Sequence, residues 1–151
     1  MFVDLHLSSF KSKLGIRTKS GKAILFDPIR KKKIIITPEE YVRQLLIQYL
    51  LTEENISPTK ILIEKEIILA NRKKRFDLVI LDKNNDPQIL IECKSHKEIL
   101  DNKVFNQAGY YNLSLTAKYI IITNGLSTLI SEIDFDTKSF RFLDQFPKIK
   151  T

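Results

Sequence analysis

The sequence contains a single cysteine, Cys93, and no long run of apolar residues. One cysteine excludes an intramolecular disulfide framework, which is consistent with a protein of the reducing cytoplasm. Because a membrane-spanning helix needs about 20 consecutive apolar residues, no membrane association is predicted. Charged side chains such as Asp4 and Lys11 interrupt the apolar residues at the N-terminus, so a signal peptide is not predicted either.

Internal repeats and low-complexity linkers are also lacking, so the 151 residues are expected to form one domain, residues 1–151. Hydrophobic residues make up 43% of the chain, enough to bury a core. Lysine and arginine total 25 against 18 acidic residues, which gives a formal charge of +7. A basic domain favours polyanionic partners, most often nucleic acid, although many soluble proteins are also basic.

Two apolar segments, Phe76–Leu81 and Ile89–Lys94, are predicted to be neighbouring strands joined by a hairpin turn. Both are apolar on both faces, as is typical of strands in the middle of a covered sheet. Asp77, Glu92 and Lys94 interrupt this pattern, and a charge in a central strand is costly unless it is paired or binds an ion. Since side chains alternate along a strand, Glu92 and Lys94 point to the same face.

These charges suit a divalent-metal site with an adjacent lysine. The carboxylates of Asp77 and Glu92 are suitable ligands for Mg²⁺, with Mn²⁺ as an alternative, and the backbone carbonyl of Cys93 is a further candidate ligand. Such a metal lowers the pKa of its bound water, which can then attack a phosphodiester. Lys94 would orient that water or stabilise the developing charge. A buried ion network of the same three side chains without metal remains the alternative.

Thr37 and Pro38 predict the start of a helix that runs to about Thr52, with Thr37 as N-cap and Glu40 completing a capping box. Glu39 lies at the edge of the apolar stripe and can lean toward the sheet, whereas Glu40 lies nearly opposite the stripe. Glu39 is equally consistent with a first-turn acid favoured by the helix dipole. The apolar stripe comprises Val42, Leu45, Leu46, Tyr49 and Leu50.

A second helix is predicted over Ser95–Leu115, with Gln107 on its inward side, where an amide needs a hydrogen-bond partner. Gln107 is either a site residue or a core-edge glutamine. The other predicted elements are a hairpin of Ala23–Phe26 and Lys33–Ile36, strands over Ile61–Ala70, Lys118–Thr123 and Phe140–Leu143, and a short helix over Leu126–Ser131. In the Ile61–Ala70 strand, alternation predicts Glu64 and Glu66 on one face and Ile61, Ile63, Lys65 and Ile67 on the other. Residues 1–22 are predicted to be a loose arm or a short helix with a loop, and residues 145–151 a loosely ordered tail.

Two groups of cations are candidate phosphate contacts. The first is a basic turn leading into the Phe76 strand, and the second is the tip of the N-terminal hairpin. Both are also consistent with charged hairpin tips that contact only solvent. The candidate residues are Arg72, Lys73, Lys74 and Arg75 in the first group and Lys31 and Lys32 in the second.

Five short segments, spread over about residues 24–130, match a known pattern. They are Thr37–Gln44, Arg75–Asp77, Ile91–Lys94, Gln107–Tyr111 and Ile122–Gly125. In this order and spacing they resemble the PD-(D/E)xK nuclease superfamily, and more narrowly the domain at the N-terminus of the motor subunit of type I restriction enzymes. Phe76 stands where the superfamily pattern has a variable proline.

The resemblance implies an α/β fold with a restriction-endonuclease-like αβββαβ core and a mixed central sheet flanked by helices, here with an added N-terminal β-hairpin. It also implies Mg²⁺-dependent cleavage of DNA. The restriction subunit carries a motor after this domain and this sequence does not, so a stand-alone protein is expected and a restriction role is not carried over. Such nucleases often act as dimers, but no residue here indicates whether a homodimer forms.

By the same resemblance, Asp77 and Glu92 would bind metal and Lys94 would be the catalytic lysine. Gln107 would match the glutamine–tyrosine element found in recombination-type nucleases of the superfamily. A helix glutamate often joins the site, and the resemblance does not decide between Glu39 and Glu40.

The sequence therefore predicts a Mg²⁺-dependent deoxyribonuclease. One alternative is a DNA-binding module of the same fold with a dormant site. The other is an interaction protein in which Asp77, Glu92 and Lys94 form a structural ion cluster.

Overall fold

Two α-helices cover opposite faces of a six-stranded sheet in the computed structural model, which describes residues 1–150. The helices are α1 (Pro38–Thr52) and α2 (Asn102–Leu115); the strands are β1 (Arg17–Lys19), β2 (Lys22–Asp27), β3 (Lys32–Ile35), β4 (Ile61–Leu69), β5 (Arg72–Leu81), β6 (Pro87–Cys93), β7 (Tyr119–Thr123), β8 (Thr128–Asp134) and β9 (Ser139–Phe142). Within the described residues, no helix is long and apolar enough to cross a membrane.

The large sheet has the strand order β4-β5-β6-β7-β8-β9, and only β6 and β7 pair in parallel. Helix α2 connects these two parallel strands, as a parallel pair requires. Along the chain the elements α1-β4-β5-β6-α2-β7 follow in the predicted α-β-β-β-α-β order, so the predicted mixed sheet with helices on both faces is confirmed. Ile89 and Ile91 pack under α1, whereas Leu90 packs on the α2 side.

The N-terminal hairpin is confirmed and is larger than predicted, because β1 adds a third strand to β2 and β3. Before it, a short 3₁₀ helix, Leu7–Lys13, packs on α1, with the Phe10 and Tyr49 rings 6.2 Å apart in an edge-on arrangement. This outcome corresponds to the predicted short helix rather than the loose arm.

Helix α1 has the predicted bounds and N-cap, because Thr37 Oγ1 accepts a hydrogen bond of 3.1 Å from the backbone N–H of Glu40. The apolar stripe is buried as predicted. Helix α2, in contrast, begins at Asn102 and not at Ser95. Its N-cap is Asp101, whose carboxylate accepts a hydrogen bond from the Val104 N–H, and residues 95–101 form a loop.

Two predictions near the C-terminus are wrong. The segment Leu126–Ser131 is not a helix: its residues 128–131 begin strand β8, because the turn at Asn124–Gly125 returns the chain antiparallel to β7. The tail packs on the core: Phe146 is buried and its ring lies 5.8 Å from the Tyr49 ring. Thr151 lies outside the described residues.

Gly125 holds the turn before β8 close to α1. Its φ is +86°, and a Cβ at this position would lie 3.2 Å from Cγ2 of Val42. We expect Gly125→Ala to lower the free energy of unfolding by about 1–3 kcal/mol, because a non-glycine residue is strained at this φ and Val42 must also shift. Chemical denaturation measures the change.

Gly109→Ala is the matched control. Gly109 lies in the middle of α2 with no atom within 4 Å of an added Cβ, so this substitution should stabilise the protein by about 0.5–1 kcal/mol. Equal effects of the two substitutions would contradict a conformational requirement at Gly125.

Candidate active site

The regular alternation of side chains along strands β4 and β5 is interrupted at Glu64 and Asp77. Residues that strict alternation would place on one face therefore pack on opposite faces of the sheet before and after these positions. Glu64 has a φ of +54°, a left-handed conformation that is rare for glutamate and absent from regular strands. Before it, Ile63 packs on the α1 side; after it, Ile67 packs on the α2 side. The predicted placement of Ile61, Ile63 and Ile67 on a single face is therefore wrong, because the strand alternation is interrupted at Glu64.

The sheet register brings acidic residues of three adjacent strands to one level. On the β4 side, Ile63 pairs with Leu78 and Lys65 pairs with Phe76, so Glu64 and Asp77 face each other between these pairs. On the β6 side, Leu78 pairs with Ile91, which places Glu92 opposite Asp77. The two carboxyl groups are therefore neighbours across the strand pair, and Asp77 is one of the groups that raise the pKa of Glu92.

Both carboxylate oxygens of Asp77 have hydrogen-bond donors. Arg43 Nη2 donates to Asp77 Oδ1 at 2.7 Å, and the backbone N–H of Cys93 donates to Oδ2 at 2.7 Å. The second bond takes the place of a ladder bond at the end of β6, while the N–H of Lys94 still donates to the Thr123 carbonyl of β7 at 2.8 Å. The Asp77 carboxylate is thus held by Arg43 of α1 on one oxygen and by the backbone of β6 on the other.

Arg43 connects α1 to the sheet. Its Nη1 donates to Glu40 at 2.7 Å and lies 3.5 Å from Glu64, and its side chain is only 7% exposed. Arg43 Nε is the single buried side-chain polar atom in residues 1–150 that has no hydrogen-bond partner. A buried donor without a hydrogen-bond partner is costly, so we infer that a water molecule or a ligand supplies an acceptor for Arg43 Nε.

A wider polar cluster extends from this arginine to the N-terminal hairpin. Asp27 is fully buried and accepts hydrogen bonds from the side chains of Arg30 and Gln44 at 2.6 and 2.8 Å. Burial by itself raises the pKa of Asp27, but the hydrogen bonds from Arg30 and Gln44 lower it below its usual value. Arg30 also contacts Glu40 and lies 3.5 Å from Glu64.

The two helix glutamates have different environments. Glu40 is buried although it lies nearly opposite the apolar stripe, because the hairpin turn covers that side of α1 and supplies Arg30. The Glu40 side chain pairs with arginines in place of closing a capping box. Glu39 is half-buried. Its pKa is raised, mainly by burial and to a smaller extent by the charge of Asp77, while the charges of Lys94 and Arg43 lower it. Glu39 is therefore the glutamate exposed to the field of the Asp77 site.

Glu92 carries the strongest electrostatic signal of the site. Burial and the nearby charge of Asp77 raise its pKa from 4.5 to about 8, although Lys94 and Arg43 oppose the rise. Two carboxylates in contact cannot both ionise cheaply unless a cation compensates them. The thiol of Cys93 is buried under α1, and burial raises its pKa well above the usual value, so it is not a nucleophile at neutral pH.

Gln107 is exposed, contrary to the predicted inward orientation, because the buried side of α2 is formed by Phe105, Ala108 and Asn112. Its side-chain amide donates to the Tyr111 hydroxyl at 3.0 Å. The structure brings Asp77, Glu92, Lys94 and Glu39 into one electrostatic neighbourhood, but it records no contact between Gln107 and these residues within the described chain.

The predicted basic turn is a strand: Arg72, Lys73, Lys74 and Arg75 begin β5, and the turn is formed by Ala70 and Asn71. Lys31 and Lys32 are exposed at the other hairpin, as predicted. Arg30, from the same run of cations, is instead held in the buried cluster. The candidate phosphate contacts are therefore divided between two hairpins.

The donor set at Asp77 and Glu92 fits a hard divalent cation. In residues 1–150 no three His, Cys, Asp or Glu side chains converge as a metal site. Mg²⁺ does not require three, because it commonly takes one or two carboxylates and completes its shell with water. The raised pKa of Glu92 marks an excess of negative charge that such a cation would neutralise.

Sequence reasoning missed five members of the cluster, namely Arg43, Gln44, Glu64, Asp27 and Arg30, of which the last two come from the N-terminal hairpin. Arg43 and Gln44 were detectable, because Glu40, Arg43 and Gln44 recur at i, i+3 and i+4 and form a polar stripe on a helix expected to be covered. Glu64 carried no such signal, since a left-handed glutamate in a strand has no compositional mark.

Comparison with known proteins places this geometry in a family. The family model described as the type I restriction enzyme R protein N terminus (HSDR_N) matches residues 38–147, from the first residue of α1 to beyond β9. The chain belongs to this family. Asp27 and Arg30 precede the matched region, so the HSDR_N domain here receives part of its buried charge cluster from the N-terminal hairpin.

One solved structure supports the same fold. It is described as "the fragment structure of a putative HsdR subunit of a type I restriction enzyme from Vibrio vulnificus YJ016", and it is 19% identical with a TM-score of 0.51. The match covers 74% of this chain and 24% of that chain, so the sequence spans about a quarter of the HsdR fragment. No curated protein matches the chain significantly.

The raised pKa of Glu92 predicts a pH-dependent stability of this HSDR_N domain. The folded protein retains the Glu92 proton up to about pH 8, whereas the unfolded chain loses it near 4.5. Folding takes up a proton between these values, so the free energy of unfolding falls as the pH rises, by up to about 1.4 kcal/mol per pH unit.

Glu92→Gln removes this titration, so the variant should gain stability over wild type between about pH 5 and pH 8. Urea denaturation in EDTA at several pH values measures the difference. The control is Glu66→Gln, an exposed glutamate of β4, which also removes one acid. A constant Glu92→Gln difference at all pH values would contradict the raised pKa.

Arg43 should be the most costly charge of the cluster to remove. Arg43→Met leaves Glu40 and Asp77 buried without their shared cation, which should lower the free energy of unfolding by about 3–5 kcal/mol. The control is Arg75→Met: Arg75 is 61% exposed and lies 3.7 Å from Glu64, and its loss should cost less than about 1 kcal/mol. Comparable losses for both substitutions in chemical denaturation would contradict this assignment.

Proposed function

We propose that this HSDR_N domain is a Mg²⁺-dependent deoxyribonuclease of the PD-(D/E)xK type that hydrolyses DNA phosphodiester bonds. One observation carries the proposal: the carboxylates of Asp77 and Glu92 meet across paired strands, with Lys94 two residues beyond Glu92. The Asp77 side chain is 17% exposed, and Glu92 and Lys94 are half-buried, so the site is neither splayed apart nor sealed from solvent.

In this proposal Asp77 and Glu92 hold the metal, and the Cys93 carbonyl and Glu39 are further candidate ligands. Bound Mg²⁺ supplies Lewis-acid activation of water and stabilisation of charge on the phosphate. Lys94 donates hydrogen bonds to the attacked phosphate and stabilises the charge that develops there. Arg43 holds Asp77 in one orientation through the 2.7 Å bond, and Glu92 must lose its proton before it binds a cation.

DNA as the substrate is supported by charge and by family. The formal charge of +7 favours a polyanion, and exposed cations lie on both hairpins, at Lys31, Lys32 and Lys73. The family connects the domain to type I restriction enzymes, so we extend the proposal to action within a larger restriction complex. The alternative to a restriction complex is a homodimer of this domain, in which the same site would act.

A dormant DNA-binding module is the second candidate function. It is favoured by the hydrogen bonds that already occupy both oxygens of Asp77. Each carboxylate oxygen has two lone pairs, however, so these bonds leave acceptor capacity for a cation. Metal binding separates the two candidates, because a dormant module has no need of it.

The test measures metal binding and cleavage separately. Isothermal titration with Mn²⁺ should show binding to wild type and to Lys94→Ala, and loss of binding in Asp77→Ala and Glu92→Ala. Cleavage of plasmid or single-stranded DNA should fall about 10²-fold or more in Lys94→Ala, because its charge stabilisation is lost while the metal remains.

Lys97→Ala is the matched control, since Lys97 is an exposed lysine three residues after Lys94 and should leave both measurements unchanged. Binding of Mn²⁺ that does not depend on Asp77 or Glu92 contradicts the site. The dormant module is supported if the wild-type protein binds DNA, does not bind Mn²⁺ and does not cleave any form of DNA.

A further inference from the structure

A groove of about 640 Å³ lies between the β4–β5 hairpin and the exposed side of α2. It is separate from the Asp77–Glu92 pair and contains two cations, two amides and two tyrosines. These polar and aromatic residues are Arg72, Lys74, Asn106, Gln107, Tyr110 and Tyr111. Among residues 1–150, those that line the groove include no acidic side chain.

The two cations of the groove have no carboxylate partner among the residues that the structure describes. Arg72 and Lys74 are two residues apart on β5 and so point to the same side of the strand, toward α2. Neither forms an ion pair with a carboxylate in the described residues, unlike Arg75, which lies 3.7 Å from Glu64. Two unpaired cations beside each other favour an anionic ligand, and a phosphodiester backbone presents successive anions.

The tyrosines of the groove offer an aromatic surface, which a ligand that consists of phosphate alone would not use. Tyr110 is 51% exposed, and its ring centroid lies 6.1 Å from that of Tyr111. The Lys74 ammonium lies 5.3 Å from the Tyr111 ring centroid, and Gln107 donates to the Tyr111 hydroxyl, so Tyr111 is fixed while Tyr110 remains available. An exposed aromatic beside cations is the arrangement on which unpaired nucleobases stack.

Duplex DNA does not use this arrangement, because its bases are stacked inside the helix and present no free ring face. An unpaired base presents a ring face to Tyr110 and a hydrogen-bonding edge to Asn106 and Gln107, whose amides both donate and accept. The groove therefore suits single-stranded DNA rather than an intact helix.

The groove is also placed to serve the proposed active site. The Phe76 ring lies 6.2 Å from the Tyr111 ring, and Asp77 is the next residue of β5. Lys74 and Asp77 are three residues apart on the strand, about 10 Å. A strand held in the groove would thus continue toward Asp77 and Glu92.

We propose that Tyr110, Arg72 and Lys74 form a seat for an unpaired nucleotide, so that this domain engages single-stranded DNA next to its active site. This inference deepens the proposed function and depends on it for the identity of the polymer. It assigns a form of substrate, a single-stranded segment, that the paired carboxylates do not specify.

Fluorescence anisotropy in EDTA tests the seat without cleavage. The probes are a labelled oligo-dT of about 16 nucleotides and a duplex of matched length. Tyr110→Ala should weaken oligo-dT binding about tenfold and change duplex binding less than about twofold, since one stacked base is lost. Tyr110→Phe, which retains the ring, should bind oligo-dT like wild type.

Two further variants separate stacking from charge. Arg72→Ala should reduce the slope of log K against log salt for oligo-dT by about 0.7, the loss of one phosphate contact. The controls are Leu113→Ala and Lys103→Ala, exposed residues of α2 that do not line the groove, and neither should change binding.

The inference is overturned if Tyr110→Ala leaves oligo-dT binding within twofold of wild type, if it weakens duplex binding equally, or if wild type does not bind oligo-dT at low salt. These results do not depend on metal or cleavage. The nuclease proposal is instead tested by the Mn²⁺ titration and by DNA cleavage with Lys94→Ala. Either proposal can therefore fail without the other.

Discussion

The ion pair between Arg43 and Asp77 is the contact on which the rest of the site depends. It joins the helix layer to the sheet at the one level where acids of β4, β5 and β6 meet. Arginine suits this position better than lysine, because its planar guanidinium reaches Glu40 and Asp77 at the same time with fixed geometry. The charge network thus determines how α1 sits over the sheet as well as where Asp77 points.

Charge at this level is unbalanced. The acids are Asp27, Glu39, Glu40, Glu64, Asp77 and Glu92, and the cations near them are Arg30, Arg43, Arg75 and Lys94. The hydrogen bonds of Asp27 stabilise its charge, and its pKa falls; Glu92 has no such donors and its pKa rises. The raised pKa of Glu92 offsets part of this excess of acid, because it favours a proton on that carboxyl group, and Glu92 is one of the two residues that the sequence nominates as metal ligands.

The sequence was sufficient for five of the six strands of the large sheet, for α1 and for the positions of the charged residues in β5 and β6, because apolar strands and a capped helix have local signatures. It was insufficient wherever a distant segment changed the environment. No local pattern indicated that the Asp27–Arg30 turn would cover Glu40, and Gln107 was predicted to face inward, whereas α2 turns Phe105 and Ala108 inward. The exchange of faces at Glu64 was equally inaccessible, since no local pattern marks it and strict alternation then misplaced Ile67.

A structural charge network and a metal site need not exclude each other here. The hydrogen bonds from Arg43 and the Cys93 N–H use one lone pair on each oxygen of Asp77, so they orient the carboxylate without saturating it. A group oriented in advance loses little conformational entropy when a ligand binds, which favours a site built on a rigid sheet. The left-handed Glu64 supports the same interpretation. Its strained backbone faces Asp77 and brings a third acid to this level, and strain of this kind persists in proteins mainly where function requires the geometry that it produces.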